Sequence, residues 1–157
     1  RAQTALAAGR ALDKPVEVRY RPDGKPEFDG GNVGASHTSQ LTLVVAGADQ
    51  VACDIETAIE RTEEDWAGLL GEELLGLGRL LAADTGEPIS VANTRVWSAL
   101  ECVRKTGLMT QALTVRQVDA DGWALLASGN ARIATWSTTV NDRTDPIVFA
   151  VLHAEGN

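Results

Sequence analysis

Between Thr62 and Asp84, apolar side chains recur at Trp66, Leu69, Leu70, Leu74, Leu77, Leu80 and Leu81, the spacing of one face of an α-helix. A helix this long must lay that face on something, and the flanking sequence supplies it. Upstream, Val16 to Tyr20, Gln40 to Ala46 and Val51 to Glu56 read as strands, with Gly47-Ala48-Asp49-Gln50 as a hairpin connection between the last two. Residues 2–12 read as a short Ala- and Leu-rich helix ended before Pro15, and Arg21 to Asn32, dense in Gly and Pro, reads as a loop. Downstream, a second helix runs from about Val91 to Thr106 with Gly107 as its stop. Four strand-like runs follow: Ala112 to Val118, Trp123 to Ala127, Ala131 to Val140 and Ile147 to His153, with turns at Asp121-Gly122 and Gly129-Asn130. Strands, two main helices and a β meander predict an α+β fold with a largely antiparallel sheet. Thr62 with Asp65 predicts a capping box, and Gly68, Gly71, Gly76 and Gly78 predict a break in the long helix near Gly76.

The chain has 157 residues and reads as one domain. Its net charge of −8 lacks the basic footprint of a protein that binds nucleic acid or an anionic membrane. No apolar run reaches the ~20 residues of a membrane span, and no signal-peptide pattern opens the chain. Cys53 and Cys102 lie in apolar contexts and are expected to be reduced, packed thiols, which points to a cytoplasmic setting. The chain begins at Arg1 and its only methionine is Met109, so the sequence is expected to be a piece of a longer polypeptide.

Four small groups of residues carry chemical interest. Asp54 and Glu56, two apart on a strand, project their carboxylates to one face, with Cys53 and Ile55 turned to a core. Such a pair suits Mg²⁺, and equally suits a strand with one solvated face. Glu101 and Lys105 share a helix face one turn apart, either as a surface ion pair or as a metal-ligating carboxylate beside an ammonium placed for a phosphate. Ser36-His37 precedes the Leu41 strand, and Gly24-Lys25-Pro26 follows Arg19 and Arg21 to make a local basic loop on an acidic chain. His153 sits in no motif and is expected to be structural.

Taken in order, Gly-Lys-Pro, Ser-His, Asp-x-Glu and Trp-Ser-x-x-Glu-x-x-x-Lys resemble the motifs of the 4′-phosphopantetheinyl transferases, closest to the larger type that activates peptide and polyketide synthases. The resemblance covers roughly residues 16–127. The opening without Met and the ending Pro-Ile-Val-Phe-Ala-Val-Leu extend it to the transferase domain built into iterative, enediyne-type polyketide synthases. It implies a phosphopantetheinyl transferase fold and Mg²⁺-dependent transfer of 4′-phosphopantetheine from coenzyme A to a serine of an acyl carrier protein domain, in the same or another polypeptide. By the same resemblance Asp54, Glu56 and Glu101 would hold Mg²⁺. Glu101 would take the serine proton, Lys105 would balance the leaving nucleotide, and Lys25, Ser36 and His37 would contact its phosphates. The chain departs from the family pattern at Leu100, where Lys is usual, and at Ala52 and Cys53, where Gly and Ile or Val are usual. Leu100 supports an alternative, a catalytically weak carrier-docking module with the same fold. The larger type has two similar halves, and too few residues precede Gln50 for a second, so the site is expected to be completed either by a homo-oligomer, a trimer as in the small single-half members, or by a half that lies upstream in a longer polypeptide. Arg95, Arg104 and Lys105, on or beside one helix, are the residues that could gather into a basic patch for an acidic carrier.

Overall fold

The computed structural model describes residues 1–38, 40–108, 111–140 and 144–155. Its elements are α1 (Ala2–Ala11), β1 (Arg19–Tyr20), β2 (Pro26–Phe28), β3 (Gly31–His37), β4 (Thr42–Gly47), β5 (Gln50–Thr57), α2 (Glu63–Thr85), α3 (Ile89–Thr106), β6 (Thr114–Val118), β7 (Ala124–Ser128), β8 (Ala131–Thr138) and β9 (Ile147–Ala154). The α+β expectation holds, but the strands form two antiparallel sheets instead of one, ordered β1-β2-β3-β4 and β5-β9-β8-β7-β6. No pairing links β4 to β5 among the described residues, so Gly47 to Gln50 carries the chain from one sheet to the other and is not a hairpin turn.

This transfer buries β5 on both faces. Asp54 pairs with Ala150 and Ala150 with Thr135, and this is the face that α3 covers. The opposite face, with Cys53 and Ile55, packs on β3 and β4, where the Cys53 thiol donates to the Leu43 carbonyl at 3.5 Å. Small residues allow that approach. A Cβ at Gly34 would lie 2.8 Å from the Ala52 Cα. The same residues hide β3 from a reading of propensity, since Gly, Ala and Ser are poor strand formers. The expected loop over Arg21 to Asn32 therefore contains β2 and the start of β3, and the expected strand from Val16 shrinks to Arg19–Tyr20.

The capping box forms as expected: the Asp65 amide donates to Thr62 Oγ1 at 3.1 Å, and the Thr62 amide to Asp65 Oδ2 at 3.3 Å. The break in α2 falls at Gly71 (φ 74°, ψ 164°), not Gly76, a conformation open essentially to glycine alone. Gly107 ends α3 in the left-handed region at φ 73°, as the sequence predicts.

Arg95, expected on a docking surface, is instead fully buried at 0% exposure. Its guanidinium donates to the Thr135 hydroxyl at 3.1 Å, the Thr135 carbonyl at 2.7 Å and the Gly122 carbonyl at 2.9 Å, and pairs with Glu87 at 2.6 Å. Ser137 donates to the same Glu87 carboxylate. A buried guanidinium is tolerable only when paired and hydrogen-bonded like this, and the arrangement pins the first half of α3 to the meander. Cys53 and Cys102 are free and buried. No helix among the described residues is long and apolar enough to cross a membrane.

Because Gly34 sets the distance between β3 and β5, Gly34→Ala is expected to cost ~1–3 kcal/mol through overpacking. Urea denaturation checks this; a variant with an unchanged midpoint would contradict the close approach.

Candidate functional site

The site lies where β3, β5 and the last turn of α3 meet. Ser36 alternates inward on β3, and Lys105 reaches down from α3 to β5. The Lys105 ammonium donates to Asp54 Oδ1 at 2.6 Å, the Cys53 carbonyl at 3.0 Å and Ser36 Oγ at 3.3 Å. Ser36 Oγ donates to the same Asp54 oxygen at 3.1 Å and accepts from the Ile55 amide at 3.3 Å. Asp54 is 3% exposed, and its other oxygen, Oδ2, is buried with no hydrogen-bond partner. A buried unpaired carboxylate oxygen is costly, roughly 1–3 kcal/mol or more, and is a natural place for a further cation.

Glu56 stands two residues along the same face, half-buried. Burial, and then the charge of Asp54, raise its carboxyl above the ordinary range, with Glu101 adding to the effect and Lys105 and Arg61 opposing it. The three acidic residues therefore share one electrostatic environment. They do not converge into a ready cage: among the described residues no group of three or more His, Cys, Asp or Glu side chains stands ready to hold a metal ion. Asp54 is turned to Lys105, and Glu101 pairs with Arg104 at 2.7 Å. The expected i,i+4 alternative for Glu101 and Lys105 also gives way, since each finds another partner. The chemistry of the donor set, two hard carboxylates on one strand face with Asp54 Oδ2 left without a partner, is of the kind a divalent cation takes.

A cavity of about 280 Å³ opens beside this junction, lined among others by Arg21, Lys25, Asn32, Cys53, Lys105 and Thr106. Gly24, at φ 81°, turns the Gly-Lys-Pro loop toward it. The fold thus brings Lys25 and Lys105 to one cavity, although 80 positions separate them. Asp23 lies 3.4 Å from Arg21 and 4.0 Å from Lys25 and moderates their charge. His37, by contrast, sits exposed at the end of β3, and its Nδ1 meets Thr42 Oγ1 at 2.9 Å, away from Asp54. The other histidine, His153, is exposed and pairs with Asp49 at 3.0 Å.

Sequence reasoning missed a second hollow of about 250 Å³ at the Glu56 end of β5, formed by Glu56, Arg61, Trp66, Leu69, Thr94 and Trp97. The Arg61 guanidinium stacks over Trp66 at 5.5 Å and that of Arg104 over Trp97 at 5.3 Å. The available signal was Trp97, one helical turn before Glu101 and so on the same face. Along β5, Cys53 lines the cationic hollow and Glu56 the aromatic one, with Asp54 between these two residues in the strand. The chain matches no family model and no curated protein.

The raised Glu56 carboxyl has a consequence for stability. The folded chain holds that proton more tightly than the unfolded chain, so stability falls as pH rises through the Glu56 titration. Glu56→Gln is expected to melt a few degrees above the parent protein at neutral pH in metal-free buffer, with the gain shrinking toward about pH 4. Thermal melts at the two pH values check this, and a variant less stable at both would contradict it.

Proposed function

We propose that this chain is a Mg²⁺-dependent 4′-phosphopantetheinyl transferase acting on coenzyme A and an acyl carrier protein domain of polyketide biosynthesis. The observation that carries the reading is the Ser36–Asp54–Lys105 junction at the rim of a cavity that also holds Lys25. Three of the four motifs behind the resemblance, distant in sequence, meet there. A chance motif match gives no reason for that meeting.

Asp54 and Glu56 would hold Mg²⁺, joined by Glu101 once it leaves Arg104, and the charge of the ion would offset that of the coenzyme A pyrophosphate. Lys25 and Arg21, which line the same cavity as Lys105, would receive the nucleotide's phosphates. Lys105 faces the pyrophosphate and neutralises the adenosine 3′,5′-bisphosphate as it departs. Glu101, on the partly exposed face of α3, accepts the proton of the carrier's serine hydroxyl. The serine oxygen then forms its bond to the phosphorus next to the pantetheine arm, and the bridging oxygen leaves with its electron pair. Such a transfer needs positioning and charge neutralisation more than covalent help.

A non-catalytic docking module is the second reading, and Leu100 is the observation that favours it. This side chain is 6% exposed and packs in the core, so the cation usual at that position is replaced by packing. Partner copies that complete the site would have an apolar surface to cover. On the face of β8 and β9 away from α3, Trp136 stacks on Phe149 at 6.2 Å and on Trp123 at 5.7 Å, and Trp123 is 42% exposed.

Mass spectrometry of an apo carrier protein incubated with this chain, coenzyme A and Mg²⁺ decides between the readings. The expected result is a gain of one phosphopantetheine on the carrier serine, with Asp54→Asn slower by ~10²–10³-fold, the usual loss for a charge-stabilising group. An unmodified carrier that nevertheless binds the chain would establish the docking module instead.

A further inference from the structure

We propose that Lys105 is a displaceable internal cation that couples divalent-metal binding at Asp54 to anion binding in the adjacent cavity. The proposal rests on the reading of Asp54 and Glu56 as metal ligands and adds an order of events to it. Lys105 Nζ lies 2.6 Å from Asp54 Oδ1, closer than its other two acceptors. A divalent ion on Asp54 would face that ammonium across a single carboxylate, in a place where Asp54 is almost fully buried and charges are weakly screened. Metal binding therefore favours departure of the ammonium from Asp54.

The cavity gives it a place to move, since its side chain is 36% exposed and lines that cavity. Ser36 does not block this movement, because its hydroxyl retains both Asp54 and the Ile55 amide as partners. Apart from Lys105 the charges that line the destination are balanced, Arg21 and Lys25 against Asp23 and Glu27, so an ammonium released from Asp54 leaves one positive charge in excess there. An ammonium moved there is unfavourable alone and favourable once a phosphate group is present. Metal and anion should each bind weakly by themselves and strongly together, and linkage requires the effect to be reciprocal.

Calorimetric titration of the full chain with Mg²⁺ tests this, with and without saturating adenosine 3′,5′-bisphosphate and corrected for association of metal with nucleotide in solution. The nucleotide should tighten Mg²⁺ binding at least ~10-fold in the parent protein, within the usual range of coupling. Lys105→Met should bind Mg²⁺ alone at least ~10-fold more tightly than the parent, and its gain from nucleotide should fall below ~3-fold. Ser36→Ala, which removes one acceptor of the ammonium but keeps its charge, should shift in the same direction by less, and it decides the matter should Lys105→Met not fold. Mg²⁺ binding that occurs but is no tighter in either variant overturns the coupling and leaves the metal site standing. Absence of Mg²⁺ binding in every protein, with or without nucleotide, overturns both.

Discussion

The Lys105 ammonium has three acceptors at a single junction, and in the metal-free protein it ties β3, β5 and α3 together around the site. Each acceptor belongs to a strand: Ser36 to β3, Cys53 and Asp54 to β5. Desolvation offsets much of the attraction in a buried pair, so the junction adds less to stability than its short distances suggest. Its contribution is positional. It fixes the register of α3 on β5 and holds the two sheets face to face where Gly34 lets them touch. Arg95 does the same nearly three turns earlier on α3, anchored to Thr135, Gly122 and Glu87. Two cations, one in the first half of the helix and one in its last turn, thus clamp it across the five-stranded sheet.

The same junction gives the site its chemistry. Lys105 satisfies only one oxygen of Asp54, and the other is left buried without a partner. Glu56 nearby holds its proton more strongly than an ordinary carboxyl because burial and Asp54 disfavour its charge. Both features are unfavourable in isolation, and both are relieved by added positive charge. The thiols around them take no part. Burial pushes Cys53 up to about 11 and raises Cys102 further, so neither is a thiolate at neutral pH. Among the described residues Trp66 Nε1, Asn93 Oδ1 and Ser98 Oγ are also buried without a partner, but Asp54 Oδ2 is the one such atom that belongs to a carboxylate.

The legible parts of the sequence were those governed by local rules. The period of α2, its Thr62–Asp65 cap, the Gly107 stop and the four-strand meander follow from side-chain spacing and turn chemistry. Asp54 and Glu56 share a face because strands alternate. What spacing could not show was what each face meets. A strand such as β5, covered on both sides, reads no differently from one with a wet face, so the second sheet went unseen. β3 went unseen because its Gly, Ala and Ser residues are there for close approach, and propensity penalises them. Arg95 looked like surface charge because a buried guanidinium depends on Thr135 and Gly122, and 27 and 40 positions of separation conceal them. Lys105 looked like the partner of Glu101 for the opposite reason: the nearby residue was visible in sequence and Asp54 was not.

A double-mutant cycle on Asp54 and Lys105 tests most directly whether this one pair holds the site together. Denaturant unfolding of the parent, Asp54→Asn, Lys105→Met and the double variant in metal-free buffer would give the interaction energy. Groups sharing one network show couplings of ~0.5–3 kcal/mol, whereas independent sites add to within ~0.3–0.5 kcal/mol. The account predicts a coupling above ~1 kcal/mol, with the double variant more stable than the two single losses added together. Additive losses would contradict it, because Asp54 and Lys105 would then be neighbours without being partners.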